Sequence, residues 1–272
     1  MKKLSILCLF AAFLMVFVSC KRTPGCTDPN SVNFNPDAKK DDGSCLVPEQ
    51  VQNLFLFKLT GVNCGICGYS SDQLKDVLAQ YSNVHQIYMH VGTGDPLNKF
   101  GSLKTIMPTS GGIPVHYLNA SKAHYSEMED SLPVHAATTP VGACVGSMTI
   151  EGNMLKVSTG VRFFQDVEGE YELGVYVVEN NIPAVDDLDQ SGTSDPAYEH
   201  DHTYRQSLNS NGIGDNLSVQ DIRKDYTYFQ EYEVEISQDW VAENLSVILV
   251  LWKASDNLTE YKFINVNEVA KQ

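Results

Sequence analysis

The spacing of apolar residues changes twice within residues 54–91. Residues 54–59 form an apolar run, interrupted by Lys58, that is typical of a buried strand. Apolar residues then recur at i, i+3, i+4 and i+7, which predicts an amphipathic helix whose stripe consists of Leu74, Val77, Leu78 and Tyr81. Residues 84–91 return to a strand-like pattern. Strand, helix and strand in this order predict a βαβ unit with parallel strands.

The pattern after residue 140 is different, because strand-like segments follow one another without amphipathic helices between them. These segments are residues 148–150, 155–164, 171–178, 226–236, 245–252 and 262–266. Turn residues separate several of them, so this half is predicted to be an all-β antiparallel sandwich. The polar residues 182–225 are predicted to form a loop excursion from it.

The start of the chain predicts export. Residues 1–19 combine two lysines, an apolar core and a small final residue, which is typical of a signal peptide. Residues 17–20 resemble a bacterial lipobox, and this resemblance implies that Cys20 is lipidated. No later stretch is long and apolar enough for a membrane helix, so the predicted contact with the membrane is a lipid anchor only. The formal net charge of −15 disfavours nucleic acid as a partner.

Cys26 and Cys45 bracket a polar segment rich in turn-forming residues, within the predicted spacer of residues 20–49. A disulfide between them is predicted, and closing a loop of this size would stabilise the segment by roughly 3 kcal/mol. The segment resembles a short cysteine-bracketed motif of secreted proteins of the Bacteroidota. Its carboxylates offer oxygen ligands that calcium prefers, and they belong to Asp28, Asp37, Asp41 and Asp42. Calcium there is an alternative to a plain spacer, and no other cofactor is expected.

Cys64 and Cys67 are separated by Gly65 and Ile66, just ahead of the predicted helix. Cysteines at i and i+3 on a first helical turn can close a small disulfide, and the free N–H groups there stabilise a thiolate. Cys64 is then the candidate nucleophile and Cys67 the resolving thiol. A purely structural disulfide is an equal alternative, and a zinc site with Cys144 and His135 is a weaker one.

A Gly112-Ile113-Pro114 segment precedes a predicted strand at residues 115–118. Together with the cysteine pair, it resembles the thioredoxin-like fold. The resemblance implies a cis peptide bond before Pro114 and an Ile113 backbone that contacts a bound peptide or mixed disulfide. The pattern departs from that family at Lys58, which occupies the place of a buried acid.

Further departures are Asn63 in place of tryptophan and Val115 in place of threonine. These departures favour a scaffold without thioredoxin activity. In the polar segment, His200 and His202 would share one face of an extended chain. They are weak candidates for a metal site with a carboxylate, and the alternative is that they order a lid.

Taken whole, residues 50–270 resemble the Bacteroidota outer-membrane-protein-related lipoproteins named for a twenty-eight-kilodalton founder. The matching stretches are residues 60–67, residues 112–114 and the His-x-His stretch that ends at Arg205. The predicted organisation is a signal peptide (1–19), a disulfide-closed polar spacer (20–49), an α/β thioredoxin-like domain (50–139) and a β-sandwich domain (140–272). The resemblance also implies a cell-envelope location, at the outer membrane, but no settled activity.

Two hypotheses for function follow. The first is a binding or structural lipoprotein of the cell envelope, in which the cysteine pair only staples a loop. The second is a thiol–disulfide oxidoreductase that acts on exported proteins through Cys64 and Cys67. Partners are therefore exported proteins or envelope components. The residues after Cys20 lack an acidic run, which favours a periplasm-facing anchor.

Overall fold

A computed structural model describes residues 23–99, 101–107, 112–217, 222–255 and 260–272. The predicted signal peptide, Cys20 and Gly111 lie outside these ranges. Strands account for most of the regular secondary structure of the described chain. Its helices are α1 (Gly65–Leu78), α2 (Leu103–Ile106) and α3 (Met128–Ala136).

The strands of the first half agree with the predicted βαβ unit. They are β1 (Leu54–Thr60), β2 (Val84–His90), β3 (Val115–Leu118) and β4 (Ser121–Ala123). β1 and β2 are parallel and joined by α1, as the pattern predicted. β3 pairs with the other edge of β1 in the antiparallel sense, and β4 follows it as the edge strand.

The second half supplies eleven more strands to the described chain. They are β5 (Gly142–Glu151), β6 (Met154–Phe163), β7 (Glu170–Glu179), β8 (Ile182–Pro183), β9 (Glu199–His200), β10 (Thr203–Ser207), β11 (Asp215–Asn216), β12 (Thr227–Glu235), β13 (Leu245–Ala254), β14 (Tyr261–Glu268) and β15 (Ala270–Lys271). All six predicted strand-like segments fall on β5, β6, β7, β12, β13 and β14.

One large sheet contains strands from both halves of the chain. Its order is β14-β13-β7-β10-β2-β1-β3-β4, with β11 paired to β7. The predicted boundary between residues 139 and 140 therefore separates two segments that share a sheet. A smaller sheet, in the order β12-β6-β5-β15, is antiparallel except for the parallel pair of β15 and β5.

Alternating side chains on the large sheet face two different cores, as the period of a strand requires. On β13, Val247, Leu249 and Leu251 pack against the small sheet, which makes this part a β-sandwich. The residues between them, such as Val250, join a core on the opposite face that also contains Phe57 of β1. A third core lies beneath α1 and α3.

The prediction that residues 182–225 form a loop excursion is wrong for β10, which lies in the large sheet between β2 and β7. The strand was hidden because its charged residue, Arg205, is paired inside the protein. Arg205 is buried and its Nε lies 2.7 Å from a carboxylate oxygen of the buried Glu179 on β7. On the other edge, the Tyr88 N–H of β2 donates to the carbonyl of His202 over 2.7 Å.

The predicted spacer is a compact segment that contacts the small sheet. Cys26 and Cys45 form a disulfide. Val32 packs closely against the backbone of β6, because a Cβ added to Gly160 would lie 2.9 Å from a Val32 methyl carbon. Carboxylates of this segment accept backbone N–H groups two residues further on, as turn-forming residues do, and this holds for Asp28, Asp41 and Asp42.

The buried ion pair of β10 can be tested against a surface pair of the same chain. Arg205→Met should lower the free energy of unfolding by about 3–5 kcal/mol, because it leaves the Glu179 carboxylate buried without its cation. Lys156→Met removes an exposed pair with Glu151 and should cost less than about 1 kcal/mol. Urea unfolding of both variants measures the difference. Equal costs would contradict a role for Arg205 in holding β10.

Candidate functional site: the Cys64–Cys67 disulfide and its surroundings

The cysteine pair lies where β1 ends and α1 begins. Cys64 is the N-cap of α1, with an extended backbone, and its Sγ lies 3.2 Å from the N–H of Cys67. The helix therefore starts at the cysteine pair itself. Cys64 and Cys67 are joined in a disulfide. The free N–H groups of a first helical turn favour negative charge on a sulfur placed there.

The two sulfurs differ in their access to solvent. Cys67 is fully buried, whereas Cys64 is partly exposed. Ile66 between them is 63% exposed. A thiolate arriving from solution therefore meets the sulfur of Cys64 first.

The Ile113–Pro114 segment lies beside Cys64, and its peptide bond is cis. The carbonyl oxygen of Ile113 is 3.7 Å from Cys64 Sγ. A groove of about 250 Å³ begins here, and it is lined by Ile66, Pro114, Val115, His116, Lys122, Ala123, His124 and Tyr125. Its far wall comes from the edge strand β4 and the residues after it, so the groove lies open along the edge of the sheet.

Two basic residues lie beneath α1 on adjacent strands. Lys58 of β1 and His116 of β3 are directly opposed in the antiparallel register. Burial, and then the nearby Lys58, lower the pKa of His116 to about 3, so its imidazole is neutral at neutral pH. Its Nε2 is buried and has no hydrogen-bond partner among the described residues.

Lys58 is 1% exposed. Its Nζ donates to the carbonyl of Cys67 over 3.0 Å and to the hydroxyl of Ser71 over 2.5 Å. Burial lowers the pKa of Lys58 to about 7, although the carboxylate of Asp72 acts in the opposite direction. The lysine can therefore exchange its proton near neutral pH. Sequence reasoning singled out this position only as a departure from a family pattern.

Residues 190–195, which we call the strap, cross over the start of α1. Gln190 Nε2 lies 3.2 Å from the carbonyl oxygen of Gly61 and 3.3 Å from those of Val62 and Cys64. Gly192 lies directly on the helix, because a Cβ added to it would lie 2.0 Å from the carbonyl oxygen of Gly65. The strap thus covers one side of the cysteine loop. Nothing in the sequence indicates that these two segments of the chain would meet.

The strap is also bonded further along α1. Asp72 accepts hydrogen bonds from Thr193 Oγ1 over 2.8 Å and from the backbone N–H of Ser194 over 2.7 Å. Partial burial acts to raise the pKa of Asp72, but these hydrogen bonds hold it below its usual value. Lys75 adds an exposed ion pair with Asp195. The strap is therefore anchored at both ends of its path over the helix.

His200 lies in β9 and His202 lies just before β10, and the two histidines contact different neighbours. The His200 ring is 5.1 Å from that of His90, and its Nε2 lies 2.8 Å from a backbone carbonyl. The His202 ring lies 5.7 Å from that of Tyr88. Burial lowers the pKa of both histidines. Within the described ranges, no group of three or more His, Cys, Asp or Glu residues could hold a metal ion.

Cys144 lies away from the cysteine pair, in the core between the two sheets. Burial raises the pKa of its thiol to about 12. The zinc hypothesis is wrong for the described chain, because Cys144 and His135 are not gathered with Cys64 and Cys67 into a ligand set. Among the described residues, no helix is both long and apolar enough to span a membrane.

Comparisons with known proteins agree with this architecture. Residues 110–272 match the family model described as outer membrane protein Omp28. No curated protein sequence matches the chain. The structure of HBP35 of Porphyromonas gingivalis aligns with 81% of this chain and 76% of its own, at 15% identity and a TM-score of 0.66. At that identity, the likeness shows a shared fold alone.

A domain of the outer membrane lipoprotein Omp28 from Porphyromonas gingivalis also aligns, with 50% of this chain and 93% of its own. Its identity is 12% and its TM-score is 0.32.

The contact of the strap with α1 can be tested by adding one methyl group. Gly192→Ala should lower the free energy of unfolding by at least about 1 kcal/mol more than Gly152→Ala. Both glycines have a positive φ, but a Cβ at Gly152 meets nothing within 4 Å, whereas one at Gly192 meets the Gly65 backbone. Urea unfolding and hydrogen exchange of residues 62–68 measure the effect. Equal losses and unchanged exchange would show that the strap does not hold the cysteine loop.

Proposed function

Because the chain belongs to the Omp28 family of outer membrane proteins, we propose that it is a cell-envelope lipoprotein that exchanges disulfide bonds with exported proteins. The proposal is carried by one observation. A partly exposed sulfur, that of Cys64, caps helix α1 while its disulfide partner Cys67 is fully buried. This asymmetry gives the pair one sulfur that can be attacked and one that leaves.

The exchange balances in two steps. A thiolate of the exported protein attacks Cys64 Sγ, so that a mixed disulfide forms and the Cys64–Cys67 bond breaks, with Cys67 leaving as a thiolate. A second thiolate of the exported protein then attacks its own sulfur in the mixed disulfide, and Cys64 leaves. Two electrons pass from the exported dithiol to the cysteine pair. The N-terminus of α1 favours the thiolate that forms on Cys64.

We propose that the first half of the chain is a thioredoxin-like scaffold. The order of its elements supports this, because β1, α1 and β2 form a parallel unit and β3 and β4 continue the sheet in the antiparallel sense. The carbonyl of Ile113 lies 3.7 Å from Cys64 Sγ, and the next residue, Pro114, lines the groove in which an extended peptide would lie. Exported proteins with extended, cysteine-containing segments are the partners of this site.

A second candidate function is a binding or structural role in the envelope. It is favoured by the strap, which packs on Gly65 and donates hydrogen bonds to carbonyls of the cysteine loop. These contacts are expected if the disulfide only stabilises this surface. For both candidate functions we propose that Cys20 is lipidated and that the anchored protein faces the periplasm. The net charge of −15 argues against nucleic acid as a partner under either function.

The exchange reaction is tested by removing the leaving sulfur. Cys67→Ser leaves Cys64 free to form a mixed disulfide that no internal thiol can resolve. Incubated with a disulfide-bonded unfolded protein, this variant should accumulate a covalent complex that dithiothreitol dissolves, seen on a non-reducing gel. Cys64→Ser is the matched control, and the thiols that it keeps among the described residues, those of Cys67 and Cys144, are buried, so it should trap nothing. Absence of a complex with Cys67→Ser, or equal trapping by both variants, would reject exchange through Cys64.

A further inference from the structure

Exchange at Cys64, the function proposed above, requires that a proton be delivered to Cys67 and removed from it again. The sulfur leaves as a thiolate in a position with no exposure to solvent. A buried thiolate without a counter-charge is costly, and the thiol that replaces it must lose its proton again before it can close the disulfide. Some group inside the protein therefore has to supply and accept this proton.

Lys58 is the basic group in contact with this residue. Its ammonium donates to the Cys67 carbonyl over 3.0 Å and lies 5.3 Å from the ring centroid of Tyr88. The same carbonyl accepts the hydroxyl of Ser71 over 3.2 Å. The lysine is as buried as the thiol that it would serve, so a proton passed between them stays out of bulk water.

A chain of hydroxyl groups leads from Lys58 to solvent. Lys58 Nζ donates to Ser71 Oγ over 2.5 Å, and the phenol of Tyr198 donates to the same oxygen over 3.3 Å. Tyr198 lines a pocket of about 340 Å³ on the other side of α1, together with Asp72, Tyr88 and His202. As the bonds stand, Lys58 and Tyr198 both donate to Ser71 Oγ, and Ser71 donates to the Cys67 carbonyl. Once Lys58 is an amine, the Ser71 hydroxyl can turn to it and the Tyr198 phenol can supply the next proton, because each hydroxyl both donates and accepts.

We propose that Lys58 is the proton donor and acceptor for the Cys67 thiol, and that Ser71 and Tyr198 connect it to the solvent in this pocket. When the disulfide opens, the ammonium gives one proton to the Cys67 thiolate and becomes an amine. When the disulfide closes, the amine takes that proton back as Cys67 attacks Cys64. No oxidant or reductant is added by this step, because only the proton moves.

The groups around Lys58 fit this role. Asp72 of α1 raises the pKa of the lysine, and burial, the larger effect, lowers it to about 7. His116 of β3 is neutral at that pH, and burial keeps the phenols of Tyr88 on β2 and Tyr198 protonated. Lys58 is thus the group among them whose charge changes near neutral pH.

The contact with Cys67 is tested by thiol titration in the Cys64→Ser variant, with thiolate absorbance as the readout. Cys144 stays protonated here because burial raises its pKa to about 12. Adding Lys58→Met should lower the Cys67 thiolate population at pH 7 by about tenfold, the effect of one pKa unit. Lys58→Arg keeps the charge and should retain the thiolate. Identical titrations with Lys58 and with Met at this position would overturn the proposal.

The proton transfer is tested by single-turnover exchange between the oxidised full chain and a dithiol peptide. Lys58→Arg should slow it by about 100-fold and remove the inflection near pH 7, since arginine keeps its proton. Tyr198→Phe should also slow it, whereas Tyr226→Phe, at an exposed tyrosine, should not. Wild-type rates and pH profiles in Lys58→Arg and Tyr198→Phe would overturn the proposal.

The two experiments separate this proposal from the proposed function. The thiol titration needs no exported substrate, so it can detect Lys58 acting on Cys67 even in a protein that exchanges with nothing. A wild-type chain that does not react with any dithiol, but whose Cys67 titration depends on Lys58, would reject the function and keep the proton donor. Circular dichroism of Lys58→Arg confirms that the variant is folded.

Discussion

The fold and the site both depend on the position of strand β10. It pairs with β2 on one edge and with β7 on the other, so that the two halves of the chain form one sheet. The buried ion pair of Arg205 and Glu179 fixes it there. Because β10 is held beside β2, the residues before it must run across α1, and this path brings the strap and Tyr198 to the cysteine loop. The second half of the chain is thus part of the site.

The electrostatics beneath the disulfide are unusual because the buried groups are bases. A buried lysine is tolerated when it can become neutral, and burial lowers the pKa of Lys58 to about 7. The neighbouring His116 avoids the same cost by staying neutral. A site that can hold a proton or release it at little cost suits a buried sulfur whose own charge changes during exchange.

Much of the architecture could be predicted from apolar spacing. The run that contains Phe57 is a strand buried on both faces, and the stripe that contains Leu74 places one side of α1 on a core. Cys64 and Pro114 were recognised because their types and neighbours are distinctive. β10 was missed because Thr203 and Arg205 are polar, and Arg205 is buried only because Glu179, distant in the chain, pairs with it. The strap was missed for the same reason, since nothing local indicates that Gly192 meets Gly65.

The function of Lys58 was also beyond the sequence. An isolated lysine in an apolar run is equally consistent with a side chain that reaches solvent, and only the packing of α1 over β1 buries it. In the proposed reaction this buried lysine, with its pKa lowered to about 7, is a proton donor and no longer an argument against exchange. The pair of cysteines combines a partly exposed residue, Cys64, with a fully buried one, Cys67, and a titratable neighbour, Lys58.

The most direct test of this account is the reduction potential of the Cys64–Cys67 disulfide in the full chain. It is measured by equilibration with glutathione or dithiothreitol buffers and by alkylation of the free thiols. A disulfide that exchanges with exported proteins should have a potential between about −270 and −120 mV. A potential below about −300 mV is typical of a structural disulfide and would contradict the central claim.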